Sequence, residues 1–135
     1  MRAVFDTNVL VAAFAADGLC TKLVRRANKR DFTLLLCPVI VEELRAVLKK
    51  KLSATEEEIQ NAVTLILEVG ILAEKFPDPA KTPRVVKDPN DDLILFCAVM
   101  NEADFLVTGD RDLLAIQKHG KTKIIAPRGF ELLFD

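Results

Sequence analysis

Acidic residues recur in this chain where short apolar runs end or helices begin: Asp6 after residues 3–5, Asp91 and Asp92 after Asp88-Pro89-Asn90, and Asp110 and Asp112 after Leu106-Val107-Thr108-Gly109, with Glu43 inside an amphipathic stretch. Packing three or four carboxylates together costs several kcal/mol in repulsion and desolvation, so convergence of such groups implies either raised pKa values or a bound cation. Hard oxygen ligands select Mg²⁺ or Mn²⁺. A metal held in this way lowers the pKa of a bound water and neutralises charge that develops on a phosphodiester during in-line attack, which makes phosphodiester hydrolysis the leading chemistry. One histidine, His119, is too few for a Ser–His or Cys–His nucleophile system, and no Gly-rich phosphate loop is present.

Each acid also has a local use. Asp6 can close an Asx-turn onto Thr7 or Asn8. Asp88 is placed to cap a helix whose first residue is Pro89, with Asp91 as the third position of a capping box, and Asp110 or Asp112 can cap a short helix after them. Glu42 lies opposite the apolar face of its helix while Glu43 flanks that face at about 90°, so Glu43 is the acid able to look into a crevice. Spacing alone does not choose between Asp91 and Asp92.

The elements that must position these acids alternate. Residues 3–5, 32–36, 105–107 and 123–126 are short apolar strands, and 71–76 is a further candidate. Helices are predicted over 9–16, 20–29, 38–52, from the Thr55–Glu58 capping box to Gly70, over 92–102 and over 113–117. Four prolines make 77–89 a loop. The helix over 92–102 is apolar nearly all round, so it should be central. This alternation predicts an α/β fold, a three-layer α/β/α sandwich with a central, mainly parallel sheet. Ligands bind such sheets at the carboxyl ends of the strands, where Asp6 and Asp110 fall.

A length of 135 residues implies a single domain over 1–135. Half the residues are hydrophobic and 29% charged, which excludes a disordered chain, and no apolar run approaches the ~20 residues of a membrane span. Asp6 and Asn8 interrupt the first apolar stretch, so no signal peptide is expected. Cys20, Cys37 and Cys97 lack metal-ligand spacing and have apolar neighbours; they read as reduced, packed thiols of a cytoplasmic protein. Charge is uneven, with a net +6 over residues 21–51 and −8 over 52–112. That division suits a polyanion bound beside an acidic, cation-binding pocket.

Taken in order, Val4-Phe5-Asp6-Thr7-Asn8-Val9-Leu10, Glu43-Leu44, Asp91-Asp92-Leu93-Ile94 and Leu106-Val107-Thr108-Gly109-Asp110-Arg111-Asp112-Leu113-Leu114 resemble the PIN-domain nucleases, including the VapC-like toxins of toxin–antitoxin pairs. The resemblance spans almost the whole chain. It implies a metal-dependent ribonuclease in which Asp6, Glu43, Asp91 and Asp110 carry Mg²⁺ or Mn²⁺, with Asn8 and Thr108 orienting the carboxylates and Asp112 as an outer ligand. Asp91 is preferred to Asp92 because the family's acid stands two residues before the Leu-Ile pair. At the start of the third helix Cys37-Pro38 replaces a serine or threonine often found in the family. The resemblance further implies single-stranded RNA as substrate, an antitoxin partner and a homodimer.

The Arg25, Arg26, Lys29, Arg30 cluster and Lys49-Lys50-Lys51 are candidates to hold RNA phosphates. With no Trp or Tyr and phenylalanines that read as core, base stacking is not expected. Leu65 and Val69, off the main apolar face of their helix, mark either a wider core face or a dimer or antitoxin surface, and the core face is the preferred reading. The alternatives are a catalytically silent RNA- or protein-binding module of the same fold, and a phospho-accepting receiver domain. A receiver needs paired acids after its first strand, where this chain has Asp6 followed by Thr7 and Asn8.

Overall fold

Apolar positions on both faces of a strand demand cover on both sides, and residues 3–5 are no more than 1% exposed. A computed structural model describes residues 1–134 and sets this strand, β1 (Arg2–Phe5), near the middle of a six-stranded sheet. The others are β2 (Thr33–Leu36), β3 (Ile71–Leu72), β4 (Phe105–Val107), β5 (Lys118–His119) and β6 (Thr122–Ile125), in the order β3-β2-β1-β4-β6-β5. All neighbours pair in parallel except the β5–β6 hairpin. Asp135, the last residue of the expected domain, lies outside the described residues.

The helices are α1 (Thr7–Ala15), α2 (Leu19–Asn28), α3 (Pro38–Leu52), α4 (Glu56–Val69), α5 (Pro89–Met100), α6 (Arg111–Leu114) and α7 (Pro127–Glu131). From β1 the chain steps outward through α1–α4 to β3, then returns through α5 to β4 and steps outward the other way. Right-handed crossovers in opposite directions put their helices on opposite faces. Accordingly α1–α4 pack on one another and α7 on α2, while α5 rests on β1 and β4, and α6 on β6. This is the expected three-layer sandwich. No helix among the described residues is by itself long and apolar enough to cross a membrane.

Local signals explain the element ends. Thr55 accepts from the Glu58 amide at 3.1 Å and the Thr55 amide donates to Glu58 at 2.9 Å, completing the capping box. Gly70 follows α4 in extended backbone, and only glycine fits there because a Cβ would meet Leu36 Cγ at 2.8 Å. The strand expected over 71–76 is only Ile71–Leu72, since the Lys75 amide turns to Asn101 Oδ1 instead of the sheet. The unforeseen β5 exists because Gly120, at φ +58°, allows a tight return into β6.

One expectation fails. Cys37 and Cys97, separated by 60 residues, form a disulfide with Cα atoms 6.3 Å apart, leaving Cys20 as the free thiol. Cys37 caps α3 just after β2 and Cys97 lies on α5, so the layers bring together residues that no local spacing relates. The argument from reduced thiols to a reducing compartment therefore falls for this pair. Val69 is core, 1% exposed, while Leu65 is 44% exposed.

The C-terminal segment is held by aromatic and ionic contacts together. Phe130 meets Phe5 and Phe32 edge-on at 5.8 and 5.0 Å between ring centroids. Beside it Arg26 donates bidentately to Glu131 at 2.6 and 2.8 Å, with Lys22 at 3.0 Å. The Arg26 bonds, reinforced by Lys22, hold Glu131 down to about 2. A depressed carboxyl contributes stability that is present above its ordinary range and lost as pH falls through the depressed value. Glu131→Gln should lower the Tm by several degrees at neutral pH, with the difference shrinking below about pH 4; equal melting curves at neutral pH would contradict this. For the disulfide, the unreduced denatured chain should titrate as one thiol and the reduced chain as three. Closing a loop of this length is worth about 4 kcal/mol in the chain-entropy picture, so reduction should lower the Tm markedly.

Candidate active site

The strand order makes a crevice. The chain leaves β1 in one direction and β4 in the other, so their carboxyl ends flank the point at which the topology switches. Phe5 pairs with Val107, which sets Asp6 beside Thr108. The Asp6 amide donates to Val107 O at 2.9 Å, and Thr108 Oγ1 donates to Asp6 Oδ2 at 2.8 Å. The Asp110 amide in turn donates to Thr108 Oγ1 at 3.0 Å. One threonine hydroxyl thus ties the acid of β1 to the acid after β4.

Glu43 comes from the second turn of α3. Its Oε1 accepts from Thr7 Oγ1 at 3.2 Å, and the Asn90 side chain lies close enough to favour its charged form. Thr7 is the orienting residue that sequence reasoning missed. Its signal was the position itself, the first residue of the helix that follows the Asp6 strand. Asn8, expected in that role, is exposed and makes no side-chain hydrogen bond among the described residues.

The two adjacent acids of α5 part company. Asp92 is 1% exposed and fully engaged: Oδ1 accepts from the Val85 and Val86 amides at 2.9 and 3.0 Å, Oδ2 from Arg84 Nε at 3.2 Å. Asp91 is half-buried, and its carboxylate accepts no hydrogen bond among the described residues. The capping box imagined for it does not form, because Asp88 caps the Asn90 amide at 2.9 Å instead. Asp110 does cap α6, accepting on Oδ1 from the amides of Asp112 and Leu113 at 2.8 and 3.2 Å, which leaves Oδ2 for other work. Asp112 is exposed beyond it.

The electrostatics register this convergence. Asp91 is pushed up to about 7, first by burial and then by the charges of Asp6, Asp88, Asp110 and Glu43. Asp6 and Glu43 are raised as well, again by burial first, with opposing hydrogen bonds from Thr108 and from Thr7 and Asn90. Asp88, read from sequence only as a cap, therefore contributes charge to the cluster.

All donors here are carboxylate oxygens that repel one another, which fits a hard divalent cation. Among the described residues no three acidic, His or Cys side chains converge on one point. A cation here would be held by Asp6 and Glu43, which Thr108 and Thr7 fix, with the untied Asp91 carboxylate and Asp110 Oδ2 turned toward it.

The clustered cations of the sequence are not at this edge. Helix α2 runs back to the start of β2, so Arg25 to Arg30 lie at the opposite end of the sheet. There Arg26 serves Glu131 and Asp31, Arg25 faces Asp17, and Arg30 donates to Val69 O. Lys50 lies two helical turns beyond Glu43, about 10 Å along α3.

Comparison with known proteins bears on the family and the fold. Residues 2–112 match the family model described as PIN domain. The crystal structure of PAE2754 from Pyrobaculum aerophilum superposes with a TM-score of 0.69 at 18% identity, covering 98% of this chain and 94% of that one. VapBC2 from Rickettsia felis, solved bound to a DNA fragment from its promoter, gives 0.65 at 18% identity, covering 93% and 98%. At such identities the likeness is one of fold. No curated protein matches the chain.

A carboxyl whose pKa is raised by folding favours the folded state while protonated. That advantage is full below its ordinary value, 3.8 for Asp91, and is lost as pH rises through about 7. In chelator, the wild-type Tm should fall between about pH 4 and pH 8, and Asp91→Asn should flatten that fall and melt a few degrees higher at pH 8. Mn²⁺ should then raise the Tm of the wild type more than that of the variant. Identical pH profiles would contradict the coupling.

Proposed function

The chain belongs to the PIN-domain family, and from that membership and its converging acids we propose that it is a metal-dependent ribonuclease, the toxin of a toxin–antitoxin pair. Its substrate is RNA, in single-stranded regions, and its cofactor Mg²⁺ or Mn²⁺. The observation that carries this reading is the carboxyl-edge cluster of Asp6, Glu43, Asp91 and Asp110, in which burial, and then the neighbouring carboxylates, drive Asp91 to about 7. Proteins of this family are generally nucleases, and such a cluster is costly without a cation.

When bound, the metal supplies an activated water and neutralises charge on the phosphodiester. The chain's own residues do the rest. Asp6 is kept in place by Thr108 and Glu43 by Thr7, so both present fixed oxygens at the crevice. Asp110 spends one oxygen on α6 and offers the other, and Asp91 offers both. Asp112, at the rim, is placed as an outer ligand.

The reading carries partners too. The Rickettsia felis neighbour is described as a VapBC2 complex, which supports an antitoxin, and a second copy of this chain is the expected dimer partner. Helix α4 and the edge strand β3 leave Leu65, Leu67, Ile71 and Leu72 between 43 and 54% exposed, apolar surface available to either.

The test is incubation with mixed RNA and matched single-stranded DNA in Mg²⁺, Mn²⁺ or chelator. RNA cleavage should require metal and be abolished in Asp6→Asn and Asp91→Asn with folding retained. Thr108→Val should cost about 10–100-fold, the usual loss when a group orienting a metal ligand is removed. Cleavage that survives chelation and both Asn variants would overturn the mechanism, and cleavage of DNA alone would overturn the substrate.

A further inference from the structure

Burying the Asp92 carboxylate carries a desolvation cost, and what it holds is irregular backbone. Residues 84–87 belong to neither helix nor strand, and their hydrogen bonds are the three to Asp92 and one from Arg84 Nη2 to Lys87 O at 2.8 Å. This segment runs directly into Asp88 and the first turn of α5. It forms one wall of a groove of about 450 Å³ whose other wall is Asp112, Ala115 and Ile116. The groove therefore adjoins the acidic cluster on both of its walls, through Asp88 on one and Asp110 on the other.

The chemistry of that wall suits an anion. Arg84 has five N–H donors, of which Nε is taken by Asp92 and one on Nη2 by Lys87 O, leaving three. Its side chain is 64% exposed, yet two fixed bonds hold its guanidinium in one orientation, as a receptor for phosphate requires. Lys87 lines the same groove and its side chain makes no hydrogen bond among the described residues. Among the charged residues that line the groove, Arg84 and Lys87 stand opposite Asp112, with Arg84 also paired to the buried Asp92 and Lys87 left without a partner among the described residues, while the basic clusters of α2 and α3 are paired or remote.

We infer that residues 84–87 form a phosphate-binding strap, in which Arg84, set by Asp92, and Lys87 hold a backbone phosphate of the RNA next to the one at the acidic cluster. Asp92 is then a positioning residue, and Arg84 and Lys87 contribute to RNA binding and not to the chemical step. This rests on the ribonuclease reading for the identity of the strand, and the experiment separates the two. A structural role alone would make Arg84 a counter-ion for Asp92 and give Lys87 nothing to do.

The test uses a fluorescein-labelled, random-sequence single-stranded RNA pool, bound in chelator over a series of salt concentrations. Arg84→Gln and Lys87→Gln should each raise Kd about tenfold, the scale of one charge-assisted contact. Each should also lower the salt slope of log K by about 0.7, the value per phosphate on a single strand. Asp92→Asn should weaken binding with them, and Lys50→Gln, on the far part of α3, should not. Lys87→Gln leaves every bond of Asp92 in place, so it remains informative if Arg84→Gln melts early. Wild-type affinity and slope in both strap variants would overturn the inference, as would failure of the wild type to bind RNA at low salt. Under Mn²⁺ the strap variants should raise KM about tenfold with kcat unchanged. Metal-dependent cleavage with unchanged KM in those variants would remove the strap and keep the nuclease. RNA binding lost in them, without cleavage by the wild type, would remove the nuclease and keep the strap.

Discussion

A carboxylate only 4% exposed at the end of a central strand constrains everything around it. Asp6 is little hydrated where it stands, so the protein must help to hold it, and Thr108 Oγ1 donates to its Oδ2 at 2.8 Å. That bond is possible only if β4 lies beside β1 in parallel register, with Val107 opposite Phe5. The adjacency is also the switch point of the sheet, so the bond and the crevice have the same origin. Thr108 passes the constraint on by accepting the Asp110 amide, and Thr7, one residue past Asp6, extends it to Glu43.

Against that centre the neighbouring acids of α5 divide the work. Adjacent positions on a helix are turned about 100° from one another, so Asp91 and Asp92 cannot serve the same space. Asp91 faces the other carboxylates and is raised by burial first and then by them. Asp92 turns to the irregular segment before the helix and is saturated by two amides and a guanidinium. The basic residues divide in a similar way. Arg26 and Arg30 are consumed in holding α2 to Glu131 and to the end of α4, whereas Arg84 and Lys87 remain beside the crevice.

A small domain with its site at a sheet edge needs its periphery fastened. Phe130 and Glu131 fasten the C-terminal segment to the α2 side through aromatic and ionic contacts. The Cys37–Cys97 disulfide fastens the entry to α3, which bears Glu43, to α5, which bears Asp91. Both links join elements remote in sequence, and the disulfide supports the two helices, α3 and α5, that present Glu43 and Asp91 to the crevice.

Much of this was legible in the sequence because it is local. Alternating short apolar runs and amphipathic stretches encode parallel strands and covering helices; Thr55 and Glu58 encode a helix start; the positions of Glu42 and Glu43 on one helix encode which acid turns inward. The order of acids along the chain was enough to identify the family. What lay beyond it depends on which strands become neighbours. Cys37 and Cys97 meet only because β2 and α5 pack together, and Thr7 reaches Glu43 only across the layer of α1 and α3. The basic cluster of α2 ends at the far side of the sheet because a crossover helix must return to the start of the next strand. Asp91 and Asp92 are alike in sequence, and only the folded path of residues 84–87, which supplies amides to one and not the other, tells them apart. Periodicity fixes the face that a residue shares with its own element, whereas contacts between elements depend on the topology of the whole sheet.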